Sequence, residues 1–427
     1  MMVWQKYRGL KKAARLAFLL AVSGMLAACG QGQKMGESAG LDGSNGSRKE
    51  EPLILDMDPT GPDAAKTDIQ AADAAKTDAA GADASGSDGR ETSKADSIRE
   101  MFGEDCIAGQ TFEVELSEYD GKVWFVPFSP SGEQADPVMQ IIQDGSILTE
   151  IRPYVPERLA GETFTSLDAV SFYDINYDGN TDILLIETYG STSFAAVYYG
   201  FPTGGGGFER YFVSQEQLSE HISEQAAALS VPEIRRLLSD GKRNGEFTSY
   251  QEAYEAVIRL CELESTAENG YGLIDFDGND IPELASGVNG YYVSLYTYDN
   301  GTVYTLMDHW FYGAGGNAGY EYAPGKNSLV NFNHDYAGAI YYTTYMTAST
   351  RHTMETVVQI ETYNFDDANG NGIPDENEMG SMGYYSVSYI NGAEASPEEC
   401  AAYDAGGYEY METPMTAGEL RAQLNKR

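Results

Sequence analysis

The stretch "DDANGNGIPDENE", residues 366–378, carries five acidic side chains and three asparagines in thirteen residues. Counted from Asp367, oxygen-bearing side chains fall at positions 1, 3, 5, 9 and 12: Asp367, Asn369, Asn371, Asp375 and Glu378. Gly372 stands at position 6. Ca²⁺ seeks about six to eight hard oxygens at roughly 2.3–2.6 Å, and a tightly wound loop can aim alternate side chains at one centre, with glycine at position 6 allowing the turn. Two upstream strings share the spacing. "DINYDGNTD" places Asp174, Asn176, Asp178 and Asp182 at positions 1, 3, 5 and 9, with Gly179 at 6. "DFDGNDIPE" places Asp275, Asp277, Asn279 and Glu283 there, with Asp280 where glycine is expected; aspartate tolerates the left-handed conformation better than most residues. Position 12 is Leu185 in the first and Ser286 in the second. Any one string reads equally as an acidic, solvated turn. Three in similar register in one acidic chain favour Ca²⁺, and Mg²⁺ less, because it demands octahedral geometry and keeps its waters.

Resemblances follow from these residues. "NFDDANGNGIPDENE" resembles thrombospondin type 3 and related bacterial calcium loops, which carry Gly-Ile-Pro-Asp. The nine-residue strings resemble the loops of FG-GAP-type and integrin-like repeats, a resemblance that implies a loop joining two strands of one blade. "LIDFDGNDIPEL", "YVSLYTYDNGTVYTL" and "GYEYAPGKN" resemble segments of lipoproteins of anaerobic Gram-positive bacteria, implying location and calcium but no reaction.

The elements that must hold these loops read as strands. Alternating apolar residues with Asp-Gly turns in "QTFEVELSEYDGKVWFVPFSP" and "VMQIIQDGSILTEI" signal hairpins, and "VSFYDINYDGNTDILLIETYG", "FAAVYYGF" and "FERYFV" extend a β-rich domain over 104–213. The period turns helical over 214–264: "SQEQLSEHISEQAAALS" (214–230), "PEIRRLLSDGKR" with Pro232 in a first turn, and "SYQEAYEAVIRLCELE" (249–264), an insertion or a connecting layer. A second β-rich domain, 265–427, contains the other two loops. The expected fold is mostly β (α+β): two β-rich domains separated by a short helical segment.

The N-terminal end reads as an export signal. Lys6, Arg8, Lys11, Lys12 and Arg15 precede "LAFLLAVSGMLAA", 13 apolar and small residues, short of the roughly 20 that span a bilayer. "LAAC", Leu26–Cys29, resembles the lipobox of bacterial lipoproteins. It implies cleavage of a signal peptide at 1–28 and a diacylglyceryl thioether on Cys29, anchoring the chain to the outer face of the cell membrane. Residues 29–103, rich in Ala, Gly, Ser and Asp, are too poor in apolar groups to offset ordering entropy and read as a disordered tether. Three cysteines remain, Cys106, Cys261 and Cys400. Cys106 and Cys400 are the candidate pair, and Cys261 is a buried helical thiol.

The whole chain has 27 basic and 66 acidic residues, a net −39; residues 1–28 hold five of the basic ones, so the remainder stands at −44. Such a balance excludes nucleic acid as a partner, since that needs a basic footprint. None of His221, His309, His334 and His352 sits in a short metal-binding spacing, and no nucleophile elbow or phosphate loop is present; "TGGGGF" reads as a hairpin tip. Two carboxylates suffice for a glycosidase, so a calcium-stabilised hydrolase of glycan or cell wall remains open beside a scaffold component of an envelope complex. The expected function is a cell-surface calcium-binding lipoprotein that binds a ligand, a surface glycan or protein, rather than transforming it. "DHWFYGAGGNAGYEY" supplies aromatics for such a surface or for strand packing.

Overall fold

The computed structural model describes residues 88–132, 136–201, 211–265, 268–371, 373–374, 378 and 385–426. The expected signal peptide, Cys29 and the expected tether up to residue 87 lie outside them. One compact unit, Ala84–Asp366 with Pro374–Arg427, carries every element below; Asp367–Ile373 falls outside that unit and is described by itself.

The unit is β-rich, in antiparallel sheets. The first sheet joins β1 (Phe112–Glu115), β2 (Lys122–Phe128), β3 (Val138–Gln143) and β4 (Ser146–Ile151) in chain order. The second does the same with β5 (Phe164–Tyr173), β6 (Asp182–Tyr189), β7 (Thr192–Phe201) and β8 (Tyr211–Ser214). The third is a matching meander of β9 (Gly270–Ile274), β10 (Glu283–Val288), β11 (Tyr292–Asp299) and β12 (Thr302–Phe311). The fourth comprises β13 (Tyr320–Ala323), β14 (Ser328–Asp335), β15 (Ile340–Ala348), β16 (Met354–Tyr363), β17 (Tyr385–Ile390) and β18 (Ala393–Ala395), with β19 (Glu409–Tyr410) beside β13.

The helices are α1 (Asp88–Phe102), α2 (Glu216–Gln225), α3 (Val231–Ser239), α4 (Tyr250–Glu264), α5 (Pro397–Cys400) and α6 (Ala417–Leu424). Their starts follow local chemistry. Ser230 and Ser249 accept from the N–H three residues on, and Thr416 forms a capping box with Glu419. Helix α2 ends at Gln225, where Ala226 turns extended, so the helix expected over 214–230 is shorter at both ends.

Burial explains the layering. Side chains alternate across a strand, and both faces of the second sheet are covered. Phe194, Ala196 and Tyr198 of β7, with Ile183 and Leu185 of β6, pack on Val123, Phe125, Met139 and Ile141 of the first sheet. The intervening Ala195, Val197, Leu184 and Ile186 pack on Leu218, Ile222, Ile234 and Val257 of the helices. The same helical cluster takes in Leu284, Tyr296 and Val303 of the third sheet, and Leu420 of α6. The third sheet's other face, including Ala285, Val293 and Leu295, meets Tyr322, Leu329 and Met346 of the fourth. Near-continuous apolar runs such as "DILLI" are what two covered faces require.

One expectation is corrected and two open readings are resolved. Helices 216–264, left open as an insertion or a connecting layer, pack on the second and third sheets together. Within 29–103, the segment Asp88–Phe102 is helical, and Ile98 and Phe102, one turn apart, pack with Cys106, Val126 and Trp124 on the first sheet. Cys106 and Cys400 do not pair: both are buried free thiols, Cys106 beneath α1 and Cys400 in α5, and Cys261 is a buried helical thiol as expected.

Candidate functional site

The first loop, Asp174–Asp182, joins β5 to β6; the second, Asp275–Glu283, joins β9 to β10. Each therefore occupies the same place in a four-stranded meander, with position 9 opening the second strand opposite Tyr173 or Ile274.

Their internal hydrogen bonds match. Position 9 is buried, Asp182 at 0% exposure and Glu283 at 1%. Asp182 Oδ2 accepts from Ile175 N at 2.6 Å and Asn176 N at 3.3 Å, and Glu283 Oε2 accepts from Phe276 N at 2.9 Å. The other oxygen of each reaches the third strand: Asp182 Oδ1 accepts from Gly200 N at 3.0 Å, and Glu283 Oε1 from Thr297 Oγ1 at 3.2 Å. In the first loop, Asp174 Oδ1 and Asn176 Oδ1 both accept from Asp178 N, at 3.1 and 3.3 Å, so side-chain oxygens of positions 1 and 3 converge on one point. Asp178 Oδ1 accepts from Asn180 N at 2.7 Å. In the second loop, Asp275 Oδ1 accepts from Gly278 N at 3.0 Å, Asp277 Oδ1 from Asn279 N at 3.1 Å, and Asn279 Oδ1 from Ile281 N at 2.8 Å.

The segment Asp367–Ile373 repeats the pattern. Asp367 Oδ1 and Asn369 Oδ1 accept from Asn371 N at 3.0 and 2.9 Å, and Asn371 Oδ1 accepts from Ile373 N at 2.8 Å. Of its remaining predicted ligands, Asp375 lies outside the described residues, and Glu378 is a buried residue of the larger unit.

Backbone conformation agrees. Positions 4 and 6 are left-handed in both complete loops: Tyr177 (φ 65°) and Gly179 (83°), Gly278 (79°) and Asp280 (69°). Gly370, at position 4 of the third, has φ 72°. Aspartate thus fills the glycine position as expected. The left-handed turn at position 4 was not legible, because a tyrosine there argues against it. Tyr177 holds the strained angle because its buried side chain is anchored in the helical core, beside Phe247.

Surroundings differ between the two complete loops. The second is open, with Asp275, Asp277 and Asn279 exposed; its carbonyls at Asp275 and Phe276 accept from Gly325 N and Asn327 N of the β13–β14 turn. The first is enclosed. Tyr177 O accepts from Thr305 N and Thr305 Oγ1 of β12, and Asn244 Nδ2 donates to Asp174 Oδ2 at 2.9 Å. From the β1–β2 turn, Ser117 N donates to Thr181 Oγ1, and Thr181 N donates to Glu118 Oε1 at 2.5 Å. The first sheet, the helical layer and the third sheet all touch this loop.

Enclosure sets the electrostatics. Burial pushes the Asp174 carboxyl up to about 7, partly offset by the Asn244 hydrogen bond, with Asp178 adding repulsion. Burial also raises Glu283 to about 7 and lifts Asp178, Asp182 and Glu118 above the ordinary carboxylate range. Among the described ion pairs, none includes a carboxylate of these two loops. A cation would supply the missing charge.

The donor set is mixed. Among the described residues, no three His, Cys, Asp or Glu side chains form a metal-holding group by themselves. Any cation here would draw on amide and carbonyl oxygens as well, which is hard-ion chemistry and fits Ca²⁺ rather than Zn²⁺.

The chain matches no protein-family model and no curated protein. Among the described residues no helix is long and apolar enough to cross a membrane.

Exposed aromatics gather elsewhere. Tyr291 (51% exposed) and Phe311 (45%) meet with ring centroids 5.4 Å apart, and the His309 ring lies tilted 4.7 Å from that of buried Tyr292. His309 has φ 48° where β12 bulges against β11, and its N–H donates to Ser294 Oγ. Of "DHWFYGAGGNAGYEY", Trp310 and Tyr320 pack together in the core between the third and fourth sheets, whereas Phe311 faces outward.

Proposed function

We propose that this chain is an exported, lipid-anchored calcium-binding protein whose ions lock its sheets together and which binds an extracellular ligand without transforming it. The observation that carries the reading is the shared loop geometry. Three separate strings fold the alternate Asp and Asn oxygens onto their own N–H groups in one pattern, two of them at equivalent places in two sheets. Ca²⁺ occupies the loops at Asp174, Asn176, Asp178 and Asp182 and at Asp275, Asp277, Asn279 and Glu283, and the string Asp367, Asn369 and Asn371 carries the same ligand spacing. The exposed aromatic pair Tyr291 and Phe311, with half-buried His309 beside them, suits a glycan or a protein surface.

Calorimetry tests the calcium reading. Extracellular modules bind Ca²⁺ at about 10⁻⁴–10⁻³ M. At about ten times Kd each site contributes about 1.4 kcal/mol, so three sites contribute about 4 kcal/mol. The melting temperature should rise by up to about 10 °C between chelator and millimolar Ca²⁺; equal melting in both rejects the reading.

Anchoring is tested separately. Radiolabelled palmitate should enter the unmutated protein and not Cys29→Ser. No incorporation into the unmutated protein would sink the anchor while leaving the calcium reading intact.

A further inference from the structure

We propose that Glu118, on the turn between β1 and β2, is a ligand of the cation in the first loop, so that this site is assembled from two sheets. The proposal rests on the calcium reading above.

The argument begins with what the loop lacks. A helix–loop–helix calcium site closes with a bidentate carboxylate at position 12. Here position 12 is Leu185, the fourth residue of β6, fully buried between the first and second sheets. A strand that begins at position 9 sends position 12 into the core. The closing carboxylate must therefore come from elsewhere in the fold.

Glu118 is placed to supply it. It is 2% exposed. Ser117 and Glu118 are bound to position 8 through Thr181, and Glu118 Oε1 accepts from Thr181 N at 2.5 Å and from Ser117 Oγ at 2.8 Å. Its other oxygen, Oε2, is buried with no hydrogen-bond partner among the described residues. A buried carboxylate oxygen without a donor costs free energy unless a cation or proton satisfies it. Asp178, at position 5, is close enough for its charge to bear on Glu118. Gly200 completes the fit: a Cβ there would stand 2.9 Å from Glu118 Oε1 and 2.5 Å from Thr181 O, so glycine leaves room for the carboxylate.

With Glu118 the first loop offers four carboxylates, Glu118, Asp174, Asp178 and Asp182, plus the amide of Asn176. More ligand charge and a more rigid cage raise Ca²⁺ affinity. The first loop is then the tightest site, and its ion ties the first sheet to the second.

The test is calorimetric titration of CaCl₂ into the chelator-stripped full chain. Glu118→Gln should weaken the tightest step at least tenfold and leave the other steps unchanged, whereas Asp277→Asn should weaken a different step. Glutamine keeps an acceptor for Thr181 N, so a purely structural Glu118 would leave Ca²⁺ affinity unchanged while altering only metal-free melting. Unchanged affinity in Glu118→Gln overturns the proposal. Should that variant not fold without metal, Glu118→Asp keeps the charge but withdraws it by one methylene. The same loss is expected there, and wild-type affinity overturns the proposal equally. A wild-type chain that takes up no Ca²⁺ overturns the calcium reading itself, a result distinct from either.

Discussion

Stripped of divalent cations, the protein should melt at a higher temperature at pH 5 than at pH 8. Asp174 and Glu283 have folded-state values raised to about 7 by burial, above the ordinary carboxylate values they take when unfolded. The folded state therefore holds protons that the unfolded state has released. Stability is fullest below about pH 4 and is lost as pH rises through about 7. Asp178, Asp182 and Glu118 are raised as well and act in the same sense. At about 1.4 kcal/mol per tenfold, the loss sums to several kcal/mol, on the order of 10 °C. Glu252, held down to about 2 chiefly by Lys242, has the opposite sign, but its window lies below about pH 4.5 and outside this comparison. Saturating Ca²⁺ binds the ionised forms and should shrink the difference. Thermal scans in chelator across this range decide the matter: melting that is flat or rises from pH 5 to pH 8 would contradict the burial argument.

Asp182→Ala should be the most damaging single change in the loops. Asp182 accepts from three backbone N–H groups, at Ile175, Asn176 and Gly200, inside the protein. Leaving a buried donor unpaired costs about 1–3 kcal/mol, so the loss is expected near 4 kcal/mol. Removing the carboxyl also removes its burial penalty, which opposes this at neutral pH. Burial raises this carboxyl above the ordinary range, so in chelator the opposing term shrinks as pH falls and the hydrogen-bond term dominates. Asp277→Ala is the contrast: its loop is exposed, and water replaces what the side chain gave, so less than about 1 kcal/mol is expected. Calcium separates a second effect. In saturating Ca²⁺ both variants should fall behind the unmutated chain, because each has lost a ligand. Asp182→Ala melting with the unmutated chain in chelator would show that the loop is not organised around position 9.

Local chemistry explains what was readable in the loops. The ladder from positions 1, 3 and 5 to the N–H groups of positions 4 to 7 uses neighbours only, so spacing alone locates it. The helix start at Ser249 was legible for the same reason. The tether boundary was misplaced because α1 offers little more than Ile98 and Phe102 to the core, too few apolar residues to shift a composition reading.

By itself, then, the sequence determined the three loops, the strands beside them and the helical period of 214–264, because each is encoded within a few residues. Tertiary structure decided the rest. Glu118 lies 63 residues from Thr181, Asn244 lies 70 from Asp174, and Thr305 lies 128 from Tyr177. No spacing rule spans such separations, since Glu118 meets Thr181 only when the first sheet packs on the second, and the others meet only when the second and third sheets pack on a shared helical layer. That packing encloses the first loop and leaves the second open, and it is why two strings of the same pattern stand in different electrostatic surroundings.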